Sequence, residues 1–365
     1  MTKDSRSVPG LIAPGLIAVD VGGGTQDIFV CIEGEKMENC PKLVMPSPTR
    51  LIARKIAAAT VEKKSVFLFG ETMGGGVCAG AARDHVDAGL SVYATPDAAK
   101  TFHDNPERVR KMGVIVTEEP PGDAVRIRTG DVDVEAIEAS LRSFGVEPPS
   151  SWAVAVQDHG YSPGASNRET RFKWLSEFID SDGRFDRLAF ADPPELFTRM
   201  LAVKNVLPGA LMMDTGPAAI MGALLDETVA QRRDEGLIVV NVGNFHVMCA
   251  MLKGDKMVGL LEHHTGRLTR ASLEEMIGRF REGKLSNEQV LEDGGHGCHV
   301  NGSLAVGAAG DSFDFVAVTG PRREILRSGK TSLGDVHMAV PYGDMMLTGC
   351  FGLVEAARKA GIISE

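Results

Sequence analysis

The residues of this chain that could do chemistry gather first between Asp20 and Asp27. There a carboxylate is followed by Gly22, Gly23 and Gly24, then by Thr25, Gln26 and a second carboxylate. The surrounding stretch, Leu16 to Glu33, reads LIAVDVGGGTQDIFVCIE. An apolar run, a tip with almost no side chains and a resumed apolar run predict a β-hairpin. Bare glycines let a phosphate come close enough for backbone N–H groups to donate to it, and Thr25 can add a hydroxyl donor. A carboxylate at a strand end, Asp20, suits a hydrated magnesium ion, which needs few protein carboxylates. An ordinary glycine-rich turn has the same letters, because short glycine motifs recur by chance.

A second copy argues against chance. From Leu237 the chain reads LIVVNVGNFHVMCAMLKGDKM, against LIAVDVGGGTQDIFVCIEGEKM from Leu16. Asn241 falls where Asp20 stands, Gly243, Asn244, Phe245 and His246 form the second tip, and both copies end in a turn followed by Lys-Met. Such a repeat predicts two related domains, each offering a hairpin to a shared cleft.

Other strand-end loops are candidates for a substrate. Glu71, Thr72, Met73, Gly74, Gly75 and Gly76 follow a short apolar strand and precede an alanine-rich helix, the place where ligands sit in open α/β sheets; a tight strand–helix contact reads equally well. Asp158 and His159 open a similar loop running to Gly164. His246, His263, His264, His296 and His299 all fall in the second half beside expected turns, and Asp158 and His159 from the first half are expected to face them. Imidazoles and a carboxylate converging in a cleft suit zinc, iron or another transition metal. No H-E-x-x-H spacing is present, and a lone histidine serves equally in acid–base catalysis, phosphate contact or a bond to a backbone carbonyl.

These loops must be held by a framework that 365 residues, 43% of them hydrophobic, can supply as two cored domains. The net charge of −10 argues against nucleic acid as a partner. No apolar run reaches the roughly 18 residues of a spanning helix, and the N-terminus lacks the h-region of a signal peptide. A soluble cytoplasmic protein without a membrane partner is expected. Six cysteines lie scattered without a C-x-x-C pair, which favours reduced, buried thiols.

In chain order, a third strand is expected at Lys42 to Met45 and a helix capped by Thr49. A strand follows at Ser65 to Phe69, and an accessory part at 91 to 150 carries its own helices and short strands. Trp152 to Gln157 and Ala210 to Met213 read as strands, Thr215 to Leu225 as a helix, Ser272 to Phe280 as a helix and Phe313 to Thr319 as a buried strand. A last helix runs from near Gly343 to about Ala360. The expected division is a first domain over 1–214, a second over 215–342 and a C-terminal helix over 343–365 packing back on the first.

With that order laid out, the chain resembles the superfamily of sugar kinases, heat-shock chaperone ATPases and actin, through five motifs in sequence. DVGGGTQD at Asp20 to Asp27 resembles the first phosphate hairpin, TGPAAIMGAL at Thr215 to Leu224 the first connecting helix, and NVGNFH at Asn241 to His246 the second hairpin. FVAVTGP at Phe315 to Pro321 resembles the adenosine motif, placing Gly320 and Pro321 against the nucleotide, and YGDMMLTGCFGLVEAA at Tyr342 to Ala357 the second connecting helix. The resemblance implies an α/β fold of duplicated ribonuclease H-like (actin-like ATPase) domains about a central cleft. It also implies ATP with magnesium at Asp20 and Asn241, and kinase or ATPase activity on a small molecule or a partner protein. Asp214 stands where relatives position the attacking water; it reads as a general base or as a helix N-cap, and one residue can do both. Two departures stand out: Asn241 replaces the usual Asp, and Pro321 replaces a second glycine. A cleft that binds nucleotide without turning it over, and a metal-dependent enzyme built on the His loops, are therefore the alternatives. At finer grain the sequence is similar to archaeal and bacterial proteins, some labelled pyruvate formate-lyase activating enzymes. Radical activators of that type hold an iron–sulfur cluster by C-x₃-C-x₂-C, and no such triplet exists here. Some members of the superfamily deliver electrons through a cluster shared between two subunits. Cys78 with Cys40 or Cys298 could supply two ligands in a homodimer.

Overall fold

A computed structural model describes residues 15–164, 166–302, 313–326 and 331–364; the N-terminal stretch read for a leader lies outside them. Both hairpins form. β1 (Gly15–Val21) pairs antiparallel with β2 (Thr25–Ile32), and β2 with β3 (Lys42–Pro46). After an inserted sheet, β8 (Ser151–Val156) lies parallel to β1, and β9 (Leu211–Met213) parallel to β8, giving the order β3-β2-β1-β8-β9.

The second half repeats this. β10 (Leu237–Val242), β11 (His246–Lys253) and β12 (Lys256–His264) form an antiparallel meander. Parallel to β10 runs β14 (Phe315–Thr319), followed by β15 (Val336–Met338), while β13 (Gly297–Val300) extends the far edge. Two copies of one strand order, each led by a hairpin, make this a duplicated ribonuclease H-like α/β fold. Strands β1, β8 and β10 are almost wholly apolar because both faces of their sheets are covered.

Between β3 and β8 lies a separate parallel sheet of order β6-β5-β4-β7: β4 (Val66–Gly70), β5 (Val92–Ala94), β6 (Val114–Val116) and β7 (Val125–Thr129). It has its own core around Ile56, Leu68, Val92 and Ile127.

Two helices, Thr215–Ala223 and Thr348–Lys359, cross between the sheets. The second packs on β1, β2 and β8. It starts at Thr348, later than the expected Gly343, because Tyr342 and Gly343 take positive φ angles of 50° and 75° and break the helical path. Thr49 does not cap its helix; its hydroxyl donates to the Gly75 carbonyl at 2.7 Å and accepts from the Cys78 N–H, tying the Gly74–Gly76 turn down. β12 was not anticipated as a strand: its residues are nearly all buried, so the polar–apolar alternation that marks a half-exposed strand is missing.

Candidate functional site

The same tight turn closes each hairpin: Gly22 N–H donates to the Thr25 carbonyl at 2.9 Å, and Gly243 N–H to the His246 carbonyl at 2.8 Å. The two tips touch. A Cβ on Gly23 would lie 2.0 Å from the Phe245 ring and one on Gly24 2.5 Å from the Asn244 amide, so a side chain on either glycine would push the opposite tip aside. Beside it opens a cavity of about 800 Å³, lined by Asp20, Gly22, Gly23, Thr25 and Asp27 from the first hairpin. Asn241, Gly243, Asn244, Phe245 and His246 line it from the second, with Gly320 and Pro321 at the end of β14. Gly24 and Gln26 do not line it: Gly24 packs on Asn244, and Gln26 donates to the Pro46 carbonyl on β3. Alternation puts Gln26 on the opposite face from Thr25 and Asp27.

Asp20 and Asp27 are directly paired across the hairpin, and the equivalent pair in the second is Asn241 and Met248. The acidic charge therefore belongs to one hairpin alone. Burial, with Asp27 and Asp214 adding repulsion, pushes the Asp20 carboxyl well above the usual range. Burial likewise raises Asp27 to about 7, against the Thr25 hydroxyl and helped by Asp344. Both Oδ1 atoms are buried without a hydrogen-bond partner. Two such carboxylates facing a cavity fit a divalent cation, which would supply the missing partner.

This fit has a measurable pH signature. A carboxyl whose folded pKa is raised keeps its proton where the unfolded chain has lost it, so stability is lost as pH rises between about 4 and 7. In chelator, wild type should lose melting temperature relative to Asp27→Asn from pH 5 to pH 8, and magnesium should restore it at pH 8. Parallel pH profiles for the two proteins would refute the account.

Asp214 caps the helix Thr215–Ala223, its Oδ1 accepting from Gly216 N–H at 3.2 Å. Its Oδ2 accepts from the Asp158 N–H at 3.2 Å and from Arg171 at 3.0 Å. Arg171 is 1% exposed and also pairs with the fully buried Glu262 on β12, so one guanidinium ties a carboxylate of the first half to one of the second. Arg171 pulls Glu262 far below the ordinary carboxyl range, against burial. Sequence reading missed this pair. The available signal was a charged residue on the same helical stripe as Leu175 and Phe178, four and seven positions on.

The structure sorts the histidines. His159, His246 and His296 bring ring nitrogens within 4.8 Å of one another, and His264 flanks them with its ring 4.7 Å from that of His296. His263 turns away, its Nε2 3.1 Å from Asp293, and His299 pairs with Asp180 at 2.8 Å. Asp158 does not face the imidazoles; its carboxylate accepts from the N–H groups of Gly160, Arg199 and Met200. Burial keeps the clustered rings neutral, bringing His296 down to about 3 and His264 to about 4, with other imidazoles adding repulsion.

Of the expected substrate loops, Thr72, Gly74, Gly75, Asp158 and His159 line the cavity. Glu71 does not: it accepts from Asn205 at 3.1 Å outside the cavity. Unanticipated at this wall is Arg199, which donates to both oxygens of Asp131 and packs over Gly74, joining the inserted sheet to the first half.

All six cysteines are buried and none is in a disulfide; burial raises the Cys78 thiol to about 11 and Cys298 to about 12. A cluster shared across a dimer needs exposed thiols, and Cys40, Cys78 and Cys298 are at most 4% exposed.

A family model provisionally described as "pyruvate format-lyase activating enzyme (DUF1786)" matches residues 73–325, more than two thirds of the chain, and the chain belongs to this family. The cysteines do not form the thiolate triplet that the description would require. No curated protein matches. Among solved structures, the Lmo2764 protein of Listeria monocytogenes, provisionally described as an N-acetylmannosamine kinase, is 8% identical at TM-score 0.35, covering 95% of this chain and 99% of that one. A protein from Sinorhizobium meliloti, provisionally described as a 2-dehydro-3-deoxygalactonokinase, is 13% identical at TM-score 0.38, with 96% and 98% covered. The ethanolamine utilization protein EutJ from Carboxydothermus hydrogenoformans is 11% identical at TM-score 0.28, with 95% and 91% covered. Among the described residues no helix is long and apolar enough to cross a membrane.

Proposed function

Starting from a member of that family with two hairpin tips in contact beside one cavity, we propose a cytoplasmic ATP-dependent phosphotransferase or ATPase acting on a small molecule or a partner protein. The observation that carries the reading is the pair of unpartnered buried carboxylate oxygens on Asp20 and Asp27, at the base of a bare glycine tip. Backbone N–H groups around Gly22–Gly24 and Gly243–Asn244 would receive the phosphates, and Gly320 with Pro321 would border the base. Magnesium at Asp20 and Asp27, with Asn241 offering an amide oxygen, would neutralise charge developing on the phosphates. Asp214 keeps its carboxylate in place through Arg171 and two N–H groups, and would orient a hydroxyl or water. Thr72, Gly74, Gly75 and His159 form the wall an acceptor would meet. Closure of the halves would exclude water and align the acceptor.

Calorimetric titration of ATP analogues with magnesium tests this. Wild type should bind and Asp20→Ala should not, while Asp214→Asn should bind normally and lose turnover by about 10²–10⁴-fold. No binding to wild type, or the same binding to Asp20→Ala, would end the reading. The engagement of both Asp214 oxygens favours one alternative, a cleft that binds ATP as a sensor or scaffold. Equal slow hydrolysis in wild type and Asp214→Asn would select it.

A further inference from the structure

We propose that His159, His246 and His296 form a binding site for one divalent transition-metal ion, zinc or iron(II) in class, that bridges the two halves of the cleft. The three ring nitrogens lie within 4.8 Å of one another. A tetrahedral zinc at roughly 2.0–2.1 Å from each nitrogen would set them about 3.3–3.4 Å apart, so small side-chain rotations bring them to bonding distance. The independent observation is His296. It is 1% exposed, yet neither ring nitrogen has a hydrogen-bond partner, an arrangement that costs about 1–3 kcal/mol per buried polar group left unmet. A cation in the triad supplies the partner of the ring nitrogen turned away from Glu262.

The surroundings are those of a held ligand set. His296 sits between Gly295 and Gly297, and a Cβ on either would strike a neighbour: His263 and Val290 for Gly295, Phe172 for Gly297. Its backbone N–H donates to the Glu262 carbonyl at 2.9 Å. Arg168 holds the preceding turn through the carbonyls of Gly294 and Gly295. Glu262 Oε1 stands 3.5 Å from His296 Nδ1 and accepts from Gln157 at 3.0 Å. A carboxylate behind one ring nitrogen leaves the other to face the ion, the usual outer support of a metal-bound histidine. His246 opens β11 directly after the Asn244–Phe245 tip, and His159 follows β8. The ion would thus join the first half to the second. Three imidazoles without thiolate or a carboxylate ligand select zinc, iron(II) or cobalt over magnesium.

The test uses the full chain without nucleotide, so its outcome is separate from that of the ATP titration. After purification, elemental analysis should find close to one zinc or iron per chain. After chelation, one cobalt(II) per chain should bind with the visible ligand-field bands of low coordination, and zinc should displace it. His296→Asn and His159→Ala should each weaken zinc binding by more than about 100-fold; His299→Ala, whose ring pairs with Asp180, should leave it unchanged. Circular dichroism of the chelated proteins checks folding, and His159→Ala carries the test if His296→Asn does not fold. Absence of stoichiometric binding to wild type would overturn the proposal. So would equal affinity in His159→Ala and His299→Ala.

Discussion

Replacing Arg171 with alanine is expected to cost about 3–5 kcal/mol of folding stability, one of the two largest single-residue effects in the molecule. The guanidinium is buried between Asp214 at the end of β9 and Glu262 on β12. Truncation would leave two carboxylates facing each other with no cation and little water, so the loss comes from abandoned charge more than from the attraction itself. Glu262 would then hold its proton more readily, so the cost should be greater at pH 8 than at pH 5. Because the two carboxylates belong to different halves, the variant should also loosen the seam between them and gain hydrogen exchange there. Combining Arg171→Met with Asp214→Asn and Glu262→Gln should recover most of the stability, since no charge is then stranded. Urea unfolding at the two pH values is the measurement. A loss below about 1 kcal/mol would mean that water or a rearranged lysine screens the carboxylates, and the pair would not be a hinge pin.

The second large effect is expected at the crossing of the helices Thr215–Ala223 and Thr348–Lys359. A Cβ on Gly222 would lie 1.8 Å from the Thr348 carbonyl oxygen, and one on Gly352 1.9 Å from that of Ala218. Both obstacles are backbone, so no side chain can swing aside. Gly222→Ala or Gly352→Ala should cost at least about 2–3 kcal/mol, read as a fall in melting temperature. Gly349 faces Asp20, whose Oδ2 would be 2.0 Å from an added Cβ. Forcing these helices apart should therefore weaken magnesium–nucleotide binding along with stability. Gly278→Ala, on a helix where nothing lies within 4 Å of the new atom, is the control. It should be neutral or slightly stabilising, because alanine favours a helix by up to about 1 kcal/mol. Equal melting of Gly222→Ala and Gly278→Ala would show that the helices can separate freely.

What the sequence by itself determined is the duplicated frame. Leu16–Glu33 and the stretch from Leu237 encode strand, tip and strand through neighbours in the chain, and local pattern is what alternating or continuous apolar runs record. The bare tips and the strands leading to Asp158, Asp214 and Gly320 are legible in the same way, while the pairing of Asp20 with Asp27 is set by the register of the folded hairpin. What only the tertiary structure decided is which groups share a space. Glu262, His263 and His264 are consecutive, yet one is clamped by Arg171, one turns to Asp293 and one flanks the imidazole triad. Successive side chains on a strand leave by opposite faces, and whether a face meets the cleft or the outer layer depends on segments distant in the chain. Arg171, 91 positions from Glu262, and His159, 137 positions before His296, carry no mark of their partners in local sequence. Charge and coordination act through distance in space, which the chain acquires only when its two halves close on each other.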